Sequence, residues 1–386
     1  MKNKPLFTIF AIVFVDLLGF GIILPLLPYI AERYNANPAQ IGLLTAAYSF
    51  FQLLAAPLLG RLSDRYGRKK ILIISQAGSA IGYLILALSN NLALLFVSRI
   101  IDGITGGNIS IAQAYIADVT TKENRAKGMG MIGAAFGLGF IFGPAIGGLL
   151  FRFGYIYPAL FAMVVGIITV FLTYFYLPET VNVEAAIHSS KTAPSFQEMM
   201  HVVFKSSIGY LIITFFILNT SFSVFTGNFA LWTQHKFNFG PTENGFFFAY
   251  IGVLAVIMQL KLLPILIKKF GEKTLLRYSM IFLCAGLAFM PLVPFASFLF
   301  ATQLLIVLGN SMANPSIQAL ASENVPKEEY GGTLGILASA GSLGRIIGPV
   351  IGGEIFYLYS GDASFYLAAA LLFFVFLFLQ VKLRKA

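Results

Sequence analysis

The sequence predicts an all-α membrane protein of twelve transmembrane helices in two six-helix bundles. Three observations predict it. Twelve apolar stretches are each long enough to cross a bilayer, which takes about 20 residues at about 1.5 Å of rise per residue. Hydrophobic residues make up 58% of the 386-residue chain and charged residues only 11%, too few charges to cover a water-soluble core of that size. The two halves of the chain also match each other at one fixed shift.

The spans run roughly over 6–30, 39–60, 70–89, 92–114, 128–152, 155–177, 206–232, 243–267, 274–293, 296–320, 331–358 and 363–381. The first contains Asp16, two Gly and two Pro, and follows only Met1–Pro5, so it reads as a working helix rather than a signal peptide. The longest polar stretch, Pro178–Lys205, follows the sixth span. It divides the chain into an N-terminal bundle over 1–180, a cytoplasmic linker over 181–205 and a C-terminal bundle over 206–386.

The formal charge of +10 reads as an orientation signal, not as a nucleic-acid surface. With both termini cytoplasmic, twenty Lys and Arg fall at the inner face and only Arg33, Arg152 and Lys236 outside, a strong positive-inside bias. Cys284 is alone and inside the ninth span, so no intrachain disulfide is available. His188, His201 and His235 have no metal-ligand spacing. Gly271–Thr274 ends like a phosphate-binding loop but lacks its leading Gly. No cofactor, metal, ATP-driven step or covalent enzyme chemistry is expected.

The internal repeat is explicit. Ser63–Lys69 (SDRYGRK) falls on Ile267–Lys273 at a shift of 204. Gly137–Gly148 (GLGFIFGPAIGG) falls on Ser342–Gly353 (SLGRIIGPVIGG) at 205, and Thr121–Asn124 (TKEN) on Pro326–Glu329 (PKEE) at 205. Six helices per repeat leave both halves in the same orientation, with a substrate path expected between them near the midplane.

These motifs resemble the major facilitator superfamily over the whole chain, and within it the twelve-helix drug:proton antiporters, most of all the tetracycline-antiporter branch. GRLSDRYGRKK from Gly60 is similar to the superfamily's gating loop. RIIDGITGG from Arg99 resembles the motif whose Arg is assigned to proton transfer. GLGFIFGPAIGG resembles the antiporter motif of the fifth span, and DLLGFGIILPLLP from Asp16 the first-helix motif of drug antiporters. The resemblance implies the two-bundle facilitator fold and proton-coupled antiport. It also implies that Asp64 holds the cytoplasmic side closed against the start of the eleventh span, here Tyr330 and Gly331. The second half departs from the pattern, with Lys268 in place of Asp64 and Arg345 in place of Phe140, and Asp102 stands where many relatives are uncharged.

A mid-membrane charge costs about 2.5–3.5 kcal/mol on insertion scales, so each of the five here asks for a reason. Asp16, about 15 Å into the first span, is the expected proton carrier. A carboxyl's proton affinity responds both to burial and to a nearby cation. A changing distance to Arg99 would therefore switch it; a permanent Asp16–Arg99 pair joining two helices is the plainer alternative. Asp102, one turn from Arg99, either neutralises it or serves as a second proton or cation site. Arg345 faces the cavity or packs against backbone carbonyls. Lys261 is explained by snorkelling to the cytoplasmic interface.

Gly133, Gly137, Gly139, Gly143, Gly147 and Gly148, with Pro144, are expected to give the fifth span a smooth, close-packing face that seals against the other half. Gly60, Asp64, Arg65, Gly67 and Arg68 form the expected inner latch, with Asp118 as partner of Arg65 or Arg68. Gln52, Asn108, Gln113, Phe136, Asn219, Phe222, Asn228, Gln259, Asn310, Asn314 and Arg345 are candidate cavity residues, with Gln318, Phe225 and Tyr250 as further lining. This mixture of amides and aromatics suits a bulky amphipathic ligand. The expected function is proton-driven export of a bulky hydrophobic or amphipathic compound, a drug or antibiotic with tetracycline-like compounds included. The expected setting is a monomer in the bacterial inner membrane, acting on protons and a small-molecule substrate in the lipid bilayer. Proton-coupled import of a sugar or other metabolite, and lipid transport, are the alternatives.

Overall fold

The computed structural model describes residues 4–181, 208–326 and 330–382. The expected linker from residue 182 onward lies outside the described residues, as do Lys327–Glu329 of the second repeated link. Lys2, His188, Lys191, His201, Lys205, Arg384 and Lys385 lie outside them too. Among the described residues twelve helical runs, from Leu6–Ile23 to Gly361–Lys382, are long and apolar enough to cross a membrane. The expected all-helical, twelve-span class is what the chain adopts.

Three spans are interrupted where the sequence suggested continuous helices. Helix α1 (Lys4–Ile23) stops before Pro25, and the short α2 (Leu27–Glu32) begins afresh with Pro28 in its first turn. Proline has no N–H to continue the ladder and its ring crowds the preceding turn. The fourth span is two helices, α5 (Leu92–Thr105) and α6 (Asn108–Val119), separated by Gly106 and Gly107. The eighth span passes from α10 (Pro241–Ile257) through a π turn (Met258–Leu262) into α11 (Leu263–Phe270). Pro264 cannot donate to the carbonyl four residues back, and the wider turn accommodates its ring. The remaining helices are α3 (Pro38–Tyr66), α4 (Arg68–Ala87), α7 (Lys122–Phe151), α8 (Ile156–Tyr176), α9 (Gly209–Phe237), α12 (Glu272–Phe289), α13 (Leu299–Glu323), α14 (Tyr330–Leu358) and α15 (Gly361–Lys382).

Packing divides the chain into two units. The first comprises Met1–Ala36, Ala47–Lys191 and Phe239–Gly252. In it α1 lies against α7, α8 and α6, and α4 lies against α5 and α8. Its core gathers Ile9, Ile12, Val13 and Leu17 of α1 with Leu72 of α4, Ile111 and Tyr115 of α6, and Ile132 and Ala135 of α7. The second unit comprises Asn37–Ala46, Thr192–Asn238 and Val253–Ala386. There α9 packs on α14 and α15, and α12 on α13 and α15.

The repeat read from the sequence reappears as repeated packing. In the first unit Gly139, Gly143 and Gly147 of α7 press against Leu17, Gly21 and Ile22 of α1. In the second unit their counterparts Gly344, Gly348 and Gly352 of α14 press against α9, beside Asn219, Thr220 and Asn228. Gly245 of α10 lies against the Pro144 carbonyl and Gly148, and within the second unit Gly42 of α3 lies against the Pro349 carbonyl and Gly353. At all of these glycines except Gly352, whose nearest neighbours are the Asn228 and Val224 side chains, backbone of the facing helix lies close, the approach that small residues permit between membrane helices.

Candidate functional site

The polar centre of the first unit is built around the break in the fourth span. Helix α5 ends at Thr105, and a helix end leaves carbonyls without intrahelical partners. Side chains of neighbouring helices supply donors. Gln52 of α3 donates its Nε2–H to the Gly106 carbonyl and to the Tyr48 hydroxyl, both at 2.8 Å, and the Ser75 hydroxyl of α4 donates to the Thr105 carbonyl. Helix α6 then starts with Asn108, whose Nδ2–H donates to Asp16 Oδ1 at 2.7 Å. Asn108 is only 4% exposed, and its Oδ1 has no hydrogen-bond partner among the described residues.

Arg99 and Asp102 form a second arrangement one turn before the break. Arg99 Nη1 lies 3.2 Å from Asp102 Oδ2, and both side chains are almost fully buried. The guanidinium carbon also lies 5.8 Å from the centre of the Tyr83 ring. Ser79 hydrogen-bonds to Asp102. A buried ion pair survives where further hydrogen bonds satisfy it, and here Ser79 and Tyr83 assist. The hydrogen-bond partner of Asp16 is thus Asn108, and the carboxylate beside Arg99 is Asp102. The reason is geometric: residues three apart on α5 share a face, while Asp16 meets the start of the next half-helix.

The gating loop is a second polar site of the same unit. Gly67 has φ of 106°, a left-handed conformation that only glycine adopts without strain. A side chain there would also collide with the Glu179 carboxylate. That carboxylate accepts the N–H groups of Arg68 at 2.8 Å and Lys69 at 3.1 Å, capping the positive end of α4. Arg68, not Arg65, is the partner of Asp118, at 3.1 Å, and it also reaches Asp64 at 2.5 Å and Ser63 at 2.8 Å. Arg65 instead lies over the Tyr66 ring, and Gly60 has open space around it.

Phe136 packs against the core of the first unit, and Gln113 is exposed on α6. In the second unit Asn219 donates to the Phe215 carbonyl one turn back, beside Gly341 and Gly344, and Asn228 is buried beside Gly352. Phe222 meets the Phe225 ring at 5.8 Å, and Asn310 and Asn314 pair along α13 at 3.0 Å. Gln259 and Lys261 are exposed on the π turn. Arg345 is exposed at the middle of α14 and donates to Ser342 at 2.7 Å. Of the fifth-span glycines, Gly133 meets nothing within 4 Å, and Gly139, Gly143 and Gly147 meet α1. Gly148 meets Pro241 and Thr242 at the start of α10. The sequence reading did not single out Glu179, Tyr48, Ser75 or Tyr83. Glu179 had a signal, an acid directly after an apolar span on the side of a basic loop; the other three had none.

An ion pair and a carboxylate–amide pair held inside the spans of a twelve-helix membrane protein are the mark of a transporter. The family model of the Major Facilitator Superfamily matches residues 9–309 and, separately, 262–385, and the chain belongs to that superfamily. It is an integral, multi-pass membrane transporter of small molecules and not an enzyme. It is 33% identical to a class H tetracycline resistance protein of Pasteurella multocida over 96% of this chain and 94% of that protein. It is also 33% identical to multidrug resistance protein 2 of Bacillus subtilis (strain 168), over 90% and 87%. Among solved structures, the human organic anion transporter MFSD10 (TETRAN) matches at 24% identity and a TM-score of 0.75, covering 98% of this chain and 99% of that one. An inward-facing, occupied bacterial homologue of the human lysosomal transporter Spinster matches at 14% identity and a TM-score of 0.83, covering 100% and 98%. At these identities the two structures speak for the fold.

Proposed function

We propose that this chain is a proton-coupled exporter of bulky hydrophobic or amphipathic compounds, with tetracycline-like antibiotics among its candidate substrates. It works by alternating access as a monomer in the bacterial inner membrane, with both termini cytoplasmic. The observation that carries the reading is the Asp16–Asn108 contact of 2.7 Å at mid-span. A carboxylate so deep in the membrane is costly unless it works, and a group that gains and loses a proton there is what antiport requires. Relatives named for resistance to tetracycline and to multiple drugs support export over nutrient uptake. Asp16 carries the proton, the Arg99–Asp102 pair sets the charge around it, and the brace of Arg68, Asp64, Asp118 and Glu179 acts as the inner latch.

The test is a toxicity panel in drug-sensitive cells, with and without a proton uncoupler. Protection against at least one bulky amphipathic compound, lost when the uncoupler is added, is expected. Protection that survives the uncoupler refutes proton coupling, and energy-dependent accumulation of a nutrient in place of protection refutes export.

A further inference from the structure

The first unit contains a feature that carriage of a proton by Asp16 does not by itself require. The carboxylate is met by a primary amide at the first residue of a half-helix, not by the nearest arginine. Helix α6 is twelve residues long, so its first turn presents backbone N–H groups at this level of the membrane. Asn108 itself is almost wholly buried, its Nδ2 is used on Asp16, and its Oδ1 has no partner among the described residues. A buried acceptor without a donor is unfavourable, and native structures rarely leave one.

We propose that Asn108 is the positioning residue for proton exchange at Asp16, pairing with the carboxyl in both of its protonation states. An ionised carboxylate only accepts, and the amide N–H serves it. A protonated carboxyl gains an O–H donor while keeping a carbonyl acceptor. It can then pair with a primary amide through two hydrogen bonds at once, N–H to carboxyl oxygen and carboxyl O–H to Oδ1. Protonation thereby fills the orphaned acceptor. Arginine, which has no acceptor, cannot do this.

The surroundings fit the assignment. Among the described residues, Asp16 interacts electrostatically with Asp102 on α5 and Tyr83 on α4, and Arg99 is held by Asp102. Between Gly128 and Phe151 of α7, and throughout α8, no acidic or basic residue occurs. Gln52 and Ser75 satisfy the carbonyls before the break, which fixes the position from which α6 begins. The break at Gly106–Gly107 thus turns Asn108 into the end residue of a half-helix, aimed at α1.

This inference rests on Asp16 being the proton carrier, and one infrared pH titration of the purified, full-length protein separates the two. In wild type the C=O band of a protonated carboxyl, absent from Asp16→Asn, is expected to titrate. In Asn108→Leu that band moves to higher frequency as the amide N–H donor to the carboxyl oxygen is lost, and its pH midpoint shifts by about one unit, a tenfold change in proton affinity. In Asn108→Gln, which keeps both donor and acceptor, the band stays near its wild-type position. If no band is lost in Asp16→Asn, the carrier assignment itself fails. If the Asp16 band is present but the same in wild type and in Asn108→Leu, the role of Asn108 is overturned and the carrier stands. Should Asn108→Leu not elute as a monodisperse protein, Asn108→Ala, which also removes both donor and acceptor, takes its place with the same expected shift, and an unshifted band there overturns the proposal equally.

Discussion

Gly143 of α7 sits where the backbone of α1 leaves no room for a side chain. A Cβ placed there would lie 2.8 Å from the Gly21 carbonyl carbon, 2.9 Å from Gly21 Cα and 2.9 Å from the Leu18 carbonyl oxygen. All three are backbone atoms of α1, so no side chain can swing aside. Restoring ordinary van der Waals contact requires a relative shift of at least about 0.6 Å, in an interior packed as densely as a crystal. Overpacking of this kind costs about 1–3 kcal/mol. It also acts at a distance: Gly21 is five residues from Asp16, and a comparable shift directed along the 2.7 Å contact to Asn108 would stretch it past the limit of about 3.2 Å for a good hydrogen bond. Gly133 on the same helix is the control, because nothing lies within 4 Å of its would-be Cβ. Gly133→Ala is expected to be neutral or to stabilise by about 0.5–1 kcal/mol, since alanine is the better helix former. The assay compares heat-induced loss of the monodisperse peak, and drug export from cells, for the two variants. Gly143→Ala should unfold at lower temperature and export poorly, and Gly133→Ala should do neither. Equal stability and equal export would refute the close-packed account of α7.

Three further outcomes are expected. Asp16→Asn keeps the size and polarity of the side chain but cannot carry a proton, so uphill export in proteoliposomes under an imposed pH gradient should vanish while the protein still folds; full uphill export would remove Asp16 from the coupling. Arg99→Lys keeps the charge but loses the planar fork that contacts Asp102 and lies over Tyr83; turnover should fall about tenfold, a loss of about 1.4 kcal/mol, and unchanged kinetics would show that charge alone matters. Gly67→Ala meets both the positive φ and the Glu179 carboxylate. It should destabilise the protein by about 1–3 kcal/mol, measured as a lower unfolding temperature, and an unchanged temperature would mean that the cap on α4 contributes nothing.

The class and the repeat were legible in the amino-acid pattern alone. Twelve spans follow from the length and polarity that hydrocarbon demands, and that demand is local, so each span is legible on its own. The fixed shift of about 205 residues sets Gly344, Gly348 and Gly352 on Gly139, Gly143 and Gly147, but which helices these glycines press against was not legible in it. The mid-span charges were legible for the same reason, since each is an exception to the composition around it. Partnership was not legible. Asp16 and Asn108 are 92 residues apart, and nothing in either segment says that the amide rather than Arg99 meets the carboxylate. Nor does Glu179 announce that it caps a helix more than a hundred residues earlier. The break at Gly106–Gly107 lay between: the glycine pair permitted it, and Gln52 and Ser75, brought in from two other helices, donate to the carbonyls that the interrupted helix leaves inside the membrane. Local patterns fix what each segment is, because the bilayer acts on every residue alike. Which polar groups meet depends on how the helices pack, and no single segment encodes that.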